Sequence, residues 1–270
     1  MMNILNCPSL PRGTRPYVMG ILNLTPDSFS DGGQYNTPAA ALAQAKAMAE
    51  SGADILDLGA QSTRPGARAL FAEEELARLS PILPLLAREI PLPLSVDTFH
   101  PQAAQYALAH GVHIVNDVSG ALNPQMARVV RENGAGWILM HNGGGAHALP
   151  DYPQGVLAAV RGFFEDALRF AEDEGIPAER LCFDPGFGFG KSAAENHSLL
   201  QSFSALRVGE VPLLAALSRK RFLTAGENPA EVTLEMQDAA TQAANAAAVQ
   251  GGAELLRVHC IETAKNIQGR

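Results

Sequence analysis

The stretch VMGILNLTPDSFSDGG, from Val18 to Gly33, carries the pattern that decides the fold. Its first residues, 18–22, form an apolar run of the length that a buried β-strand needs. A loop follows, in which polar residues crowd around Pro26 and end at Gly32 and Gly33. The stretch therefore predicts a buried strand that presents hydrogen-bonding groups at its C-terminal tip.

The same plan recurs along the chain. Short apolar segments alternate with helix-favouring segments at intervals of about thirty residues, which predicts parallel strands joined by helices. The predicted strands cover residues 18–22, 55–58, 92–96, 112–115, 137–140, 181–183, 213–216 and 255–258. One of the intervening helices is predicted to run from Ala72 to Glu89.

Eight strand–helix units in 270 residues predict an α/β protein built as a (β/α)8 TIM barrel. We expect one domain over residues 1–270, with residues 1–17 as a lead-in that covers the bottom of the first strand. A doubly wound open sheet is the alternative. It usually carries a GxGxxG turn after its first strand, and none follows here.

Composition narrows the class of function. The formal net charge of -8 argues against a nucleic-acid surface, although a few local cations would suffice for a small anionic ligand. Cys7, Cys182 and Cys260 are far apart and form no disulfide or CxxC pattern, which favours a reducing cytosol. No signal peptide or membrane-spanning run is evident in the sequence, so we expect a soluble cytoplasmic protein.

Polar side chains collect where the predicted strands end. In a barrel these ends meet at one mouth, where such enzymes place their sites. For Asn116 alone, helix capping explains the residue as well as function does. Capping does not explain Lys220 or Arg257, because a cation has no reason to cap a helix N-terminus. The residues at these ends are Asn23, Asp57, Asp97, Asn116, His141, Asp184, Lys220, Arg257 and His259.

This set divides into two chemistries. Asp97, Asn116 and Asp184 supply acceptors and an amide that could bind a flat heterocycle, and a carboxylate facing two adjacent N–H groups would form a charge-assisted pair. Lys220 would reach a ring carbonyl or ring nitrogen. The remaining polar residues suit phosphate oxygens, since arginine offers a matching fork. They are Asn23, Ser62, Thr63, Arg64, Arg257 and His259.

Two further motifs carry weak signals. The run GFGFGK at 186–191 is not a Walker motif, which needs GxxxxGK[ST], and its glycines instead favour close approach of a flat ligand beside Phe187 and Phe189. His141 lacks a second ligand at metal-binding spacing, so a structural or substrate-side role is the better interpretation.

Taken together, these motifs resemble the dihydropteroate synthase family of folate biosynthesis. The matching segments occur in family order and span nearly the whole chain. They are MGILNLTPDSFSDGG at 19–33, GADILDLGAQSTRPGA at 52–67, SVDT at 95–98, NDVSG at 116–120, DPGFGFGK at 184–191, SRK at 218–220 and RVH at 257–259.

The resemblance implies a homodimeric transferase that needs Mg2+. It would join 4-aminobenzoate to 6-hydroxymethyl-7,8-dihydropterin pyrophosphate, giving 7,8-dihydropteroate and pyrophosphate, and would be a target of sulfonamides. Its partners would be these small molecules, with no nucleic acid and no membrane.

The resemblance also assigns roles to individual residues. The pterin would be held by Asp97, Asn116, Asp184 and Lys220, and the pyrophosphate by Asn23, Thr63, Arg64, Arg257 and His259. Thr63, Pro65, Gly188, Phe189 and Arg221 would border the aminobenzoate site, as would Asp31. Catalysis would rest on Asp31, Arg64 and Lys220, and Asn23 would lie at the metal.

Three positions depart from the family pattern. Gln61 stands where Glu is frequent, Arg221 replaces a small residue after SRK, and Cys260 replaces Asp after RVH. Two alternatives therefore remain open at this point. One is a pterin-binding methyltransferase that works with a corrinoid protein, and the other is a non-catalytic pterin-binding paralogue.

Overall fold

The computed structural model describes residues 3–13, 15–24, 37–61, 70–145, 148–265 and 267. Eight parallel strands form one sheet, in which each strand lies beside its sequence neighbours. The strands are β1 (Tyr17–Asn23), β2 (Ile55–Gly59), β3 (Leu94–Asp97), β4 (Ile114–Asp117), β5 (Gly136–Met140), β6 (Leu181–Asp184), β7 (Leu214–Ala215) and β8 (Leu255–Val258).

Helices connect the strands. They are α1 (Pro38–Glu50), α2 (Ala72–Leu79), α3 (Leu83–Glu89), α4 (Pro101–Ala109), α5 (Pro124–Asn133), α6 (Val156–Asp173), α7 (Ala193–Gln201), α8 (Leu234–Gln250) and α9 (Glu262–Lys265). Several begin as the sequence predicts, with Thr37 capping α1 through a bond from the Ala40 N–H and Pro38 at the first helical position. Within the described part of the chain, no helix combines the length and the apolarity needed to cross a bilayer.

The sheet closes into a barrel between β6 and β7. Phe183 forms a parallel bridge with Leu213, and the Phe183 N–H donates to the Pro212 carbonyl at 2.9 Å. β8 pairs with both β1 and β7, so the ring runs from β1 through β6 and back. The predicted (β/α)8 barrel is thus confirmed, whereas the assignment of residues 1–270 to one domain stays a prediction.

Several predicted boundaries were wrong. The helix expected from Ala72 to Glu89 is two helices, α2 and α3, because Pro81 and Pro84 lack the N–H groups that a continuous helix needs. β3 begins at Leu94 rather than residue 92, since Pro93 has no N–H for the strand ladder.

The N-terminal segment plugs the bottom of the barrel. Ile4, Leu5 and Leu10 are buried with Met19 and with residues from the starts of most other strands. We expected the lead-in to cover the bottom of the first strand, and it lies in one buried cluster with residues of β1, β2 and β4 to β8. A cavity of about 580 Å³ lies beside this plug, at the start of β4. It is at the opposite end from the polar strand tips.

Candidate functional site

Four polar side chains form one buried network at the C-terminal ends of β2, β3, β4 and β8. The Arg257 guanidinium donates from Nε to Asp57 Oδ2 at 2.7 Å and from Nη2 to Asp97 Oδ2 at 2.6 Å. The Asn116 amide donates to the same Asp57 oxygen at 3.0 Å. Their side chains point into the barrel because successive residues of a strand alternate sides. The structure therefore brings Asp97, Asn116 and Arg257 together, as their strand positions predict.

Asp57 was noted as a strand-end residue in the sequence, but its role as the common acceptor was not predicted. Burial alone lowers the pKa of Arg257, but Asp57 and Asp97 more than offset it, so the pKa of Arg257 lies above its usual value. Burial raises the pKa of Asp97, and Arg257 opposes that rise. Two carboxylates thus share one cation, which leaves the network rich in acceptors.

Asp184 and Lys220 lie against this network. The Gly186 N–H donates to Asp184 Oδ1 at 2.7 Å, and burial raises the pKa of Asp184 while Lys220 and Arg257 oppose the rise. Burial also lowers the pKa of Lys220 to about 8, and attraction to Asp184 opposes that fall. The Lys220 ammonium lies 4.4 Å from the centre of the Phe189 ring, a cation–π distance.

Of the predicted phosphate-binding residues, Asn23 ends β1, Arg257 lies in β8 and His259 directly follows β8, whereas Ser62 lies outside the described residues. Ser218 Oγ and His259 Nδ1 lie 2.9 Å apart, and the His259 N–H donates to Ser218 Oγ at 3.1 Å. Burial lowers the pKa of His259 to about 4, with Arg257 adding to the effect. His259 is therefore neutral near pH 7 and would meet an anion as a hydrogen-bond donor. Asn23 ends β1, directly beside Gly59 of β2.

The predicted aminobenzoate side is only partly described. Gly188 lies against Lys220, since a Cβ added to it would stand 3.2 Å from Lys220 Cδ, and Phe189 stacks under the Lys220 ammonium. Arg221 is exposed on the turn after Lys220, which places this departure from the family pattern at the rim. The remaining predicted residues, Asp31, Thr63, Arg64 and Pro65, lie outside the described residues.

Lys191 is a residue whose role sequence reasoning missed. Its ammonium is buried and donates to three carbonyl oxygens, those of His141 at 3.2 Å, Gly186 at 3.0 Å and Phe189 at 2.8 Å. Burial lowers the pKa of Lys191 to about 7. The ammonium thus ties the end of β5 to the glycine-rich loop after β6. It points into that loop and holds the backbone around Phe189.

Replacing Lys191 by methionine should disturb this loop. The change leaves three carbonyls without their donor, so we expect the free energy of unfolding to fall by about 2–4 kcal/mol. The backbone around Phe189 also loses its anchor, and urea unfolding measures the loss of stability. Lys46→Met is the matched control, since the one bond that Lys46 makes to the described residues is an exposed ion pair with Glu89. Equal stabilities for the two variants would contradict the assignment.

Gln61 has a structural explanation. Its amide donates to Glu75 Oε2 at 3.3 Å and its oxygen accepts the Leu70 N–H at 3.3 Å, while the Thr98 hydroxyl donates to the same Glu75 oxygen at 2.9 Å. Burial raises the pKa of the Glu75 carboxyl to about 7. A glutamate at position 61 would face Glu75 with a second carboxylate, and the pair would need to share a proton. Gln61 supplies the donor directly.

Comparison with known proteins agrees with this geometry. The family model described as "Pterin binding enzyme" matches residues 19–259. The dihydropteroate synthase of Synechocystis is 40% identical over 259 residues, covering 94% of this chain and 89% of that protein. The solved dihydropteroate synthase of Xanthomonas albilineans in complex with 7,8-dihydropteroate superposes with a TM-score of 0.82 at 42% identity, covering 94% of this chain and 91% of that one. The chain belongs to the dihydropteroate synthase family of pterin-binding enzymes.

Proposed function

We propose that this protein condenses 4-aminobenzoate with 6-hydroxymethyl-7,8-dihydropterin pyrophosphate, giving 7,8-dihydropteroate and pyrophosphate. The observation that carries the proposal is the mixed chemistry of the barrel mouth. Asp97 and Asp184 offer carboxylates to a heterocycle that displays adjacent N–H groups, while Arg257 lies in β8 and His259 directly follows that strand. Related proteins have been solved with 4-aminobenzoic acid and with 7,8-dihydropteroate, the substrate and the product that such a site would hold.

The reaction exchanges one bond at the pterin methylene. The bond from this carbon to the pyrophosphate oxygen breaks, a bond to the nitrogen of 4-aminobenzoate forms, and the amine loses one proton. Charge accumulates on the departing pyrophosphate, where Arg257 and the imidazole N–H of His259 would stabilise it. The arylamine is already a nucleophile, so placing it beside the methylene carbon supplies much of the rate.

Asp184 and Lys220 would fix the ring. The free oxygen of Asp184 would accept ring N–H groups, and the Lys220 ammonium would donate to a ring carbonyl or nitrogen. Phe189 lies beside Lys220 and would form a wall for the aromatic amine. Each of these residues binds and orients, and none is required as a strong base.

The direct test mixes purified protein with both substrates and Mg2+ and measures dihydropteroate and pyrophosphate. We expect pyrophosphate release that depends on 4-aminobenzoate. A corrinoid-dependent methyltransferase would release none, and a non-catalytic paralogue would bind the pterin without forming product. Either result would overturn the proposal.

The residues at the mouth fit a magnesium ion held mainly by substrate. Among the described residues there is no cluster of three or more His, Cys, Asp or Glu side chains that would cage a metal. Asn23 provides one amide oxygen at the tip of β1 and accepts no hydrogen bond from the described residues, a suitable single protein ligand beside diphosphate oxygens. We propose that Mg2+ binds there and neutralises charge on the leaving group.

Asn23→Ala tests this assignment. We expect the Mg2+ concentration for half-maximal activity to rise about tenfold, because one oxygen ligand is worth on the order of 1.4 kcal/mol here. Calorimetry of magnesium pyrophosphate binding gives a readout independent of turnover, and binding of a pterin that lacks phosphate serves as the control. An unchanged affinity for magnesium pyrophosphate would remove Asn23 from the metal site.

We also propose a cytoplasmic homodimer. The three cysteines are all free thiols, which suits a reducing compartment. Leu234 and Met236, at the start of α8, have exposed fractions of 59% and 40%, and such apolar side chains suit contact with a second copy. Light scattering on the purified protein measures the mass, and a monomer at micromolar concentration would contradict the dimer.

A further inference from the structure

Lys220 follows a residue in a strained backbone conformation. Arg219 has a φ of +56°, and among the described residues only Leu5 and Asn6, both in the N-terminal plug, are other non-glycine residues with positive φ. This left-handed region is unfavourable for residues with a Cβ, so the surrounding structure must hold Arg219 there. Lys220 itself has an ordinary extended backbone. The turn at Arg219 therefore sets the direction in which the Lys220 side chain leaves.

Helix α8 supplies the bonds that hold this turn. The Arg219 N–H donates to Thr241 Oγ1 at 2.9 Å, and its guanidinium donates to both oxygens of Asp238, from Nε at 2.8 Å and from Nη2 at 2.9 Å. The Thr241 hydroxyl donates its hydrogen to the Gln237 carbonyl at 2.7 Å, so the lone pairs of Thr241 Oγ1 can accept the Arg219 N–H. Asp238 and Thr241 are three residues apart and share one face of the helix.

The other side of the turn is also fixed. Ser218 Oγ is bonded to both the ring and the backbone N–H of His259, which follows β8. Ser218 is therefore held in place even if the bonds from Arg219 to α8 are lost. Downstream, the Lys220 ammonium lies 4.4 Å from the Phe189 ring centre and is attracted by Asp184. A change of backbone at Arg219 would therefore move Lys220 relative to Asp184.

We propose that Asp238 and Thr241 are positioning residues, which hold Arg219 in the left-handed conformation and so aim Lys220 at the pterin ring. Neither residue belongs to the network at the mouth. Thr241 acts through the backbone N–H of Arg219, and Asp238 acts through the Arg219 guanidinium. This inference rests on the proposed function, because the pterin substrate is the ligand whose binding is measured. It assigns a role to α8 that the sequence pattern of this alanine-rich helix did not suggest.

The test compares the single variants Asp238→Ala and Arg219→Gly with the double variant that combines them. We expect Asp238→Ala to raise the KM for the pterin substrate about 10- to 100-fold, as misplaced groups do, with little change in the KM for 4-aminobenzoate. Glycine adopts positive φ without strain, so Arg219→Gly should keep a pterin KM near that of the wild type. It should also restore most of the loss in the Asp238→Ala background.

Three outcomes would overturn the inference. One is a pterin KM unchanged by Asp238→Ala, and another is a double variant no better than Asp238→Ala alone. The third is an Arg219→Gly variant that loses pterin binding by itself, which would give the Arg219 side chain a direct role. Glu132→Ala, which removes the exposed ion pair with Arg128, is the matched control. Wild-type protein that makes no dihydropteroate would instead contradict the proposed function.

Discussion

Replacing Arg257 by alanine should lower the free energy of unfolding by about 3–5 kcal/mol and remove measurable turnover. The guanidinium is the common partner of Asp57, which is fully buried, and Asp97. Without it, two carboxylates face each other in the barrel mouth with no cation between them. Removing one partner of a buried ion pair is costly because the remaining charge stays away from water. Urea unfolding at pH 7 measures the stability change, and the product assay measures turnover.

A second variant separates folding from function. In Asp57→Asn/Arg257→Ala one buried negative charge is gone, so much of the lost stability should return. The product assay should stay negative, because the leaving pyrophosphate still lacks Arg257. Arg128→Ala, which breaks an exposed pair with Glu132, serves as control and should change stability by less than about 1 kcal/mol. A double variant no more stable than Arg257→Ala would show that the carboxylates do not repel one another as this network requires.

The barrel was predictable because its signal is local and repeated. Each strand is an apolar run bounded by turn residues, and Thr37-Pro38 and Asn123-Pro124 mark helix starts through capping chemistry that acts over three residues. The boundaries were less predictable. Asn116 and Asp117 belong to β4, although the predicted strand stopped at residue 115, because the strand ladder is made by backbone groups and continues past the last apolar side chain.

The sequence predicted which residues meet at the site, but it did not predict which of them form hydrogen bonds with each other. Strand ends must meet at the barrel mouth, so Asp97, Asn116 and Arg257 were bound to be neighbours. The bond between Arg257 and Asp57 could not be predicted, because the two residues are 200 positions apart and the sequence carries no local sign of it. Lys191 shows the same limit. The GFGFGK run gives no sign of its role, and only the fold reveals the three carbonyls that bind it.

Asp184→Asn should lower kcat/KM for the pterin substrate by about 100- to 1000-fold, equivalent to about 2.7–4 kcal/mol. Asp184 Oδ1 accepts the Gly186 N–H at 2.7 Å, and Oδ2 receives no hydrogen bond from the described residues. The Gly186 N–H requires an acceptor, so the asparagine oxygen should take that place and turn the amide NH2 toward the ligand. A donor would then face the ring N–H groups, where an acceptor is needed.

Asp117→Asn is a demanding control because Asp117 resembles Asp184 closely. It is buried at the end of β4, two strands from β6, and its Oδ1 accepts the Ser119 N–H at 3.0 Å, two residues further on, as Asp184 does with Gly186. It follows Asn116 in β4, so its side chain lies on the opposite side of the strand, away from the barrel interior. Its substitution should therefore leave the pterin KM within about threefold of the wild type, because distant sites act nearly independently. If both variants lost affinity equally, the loss would come from the turn that each carboxylate braces, and direct recognition of the ring by Asp184 would be excluded.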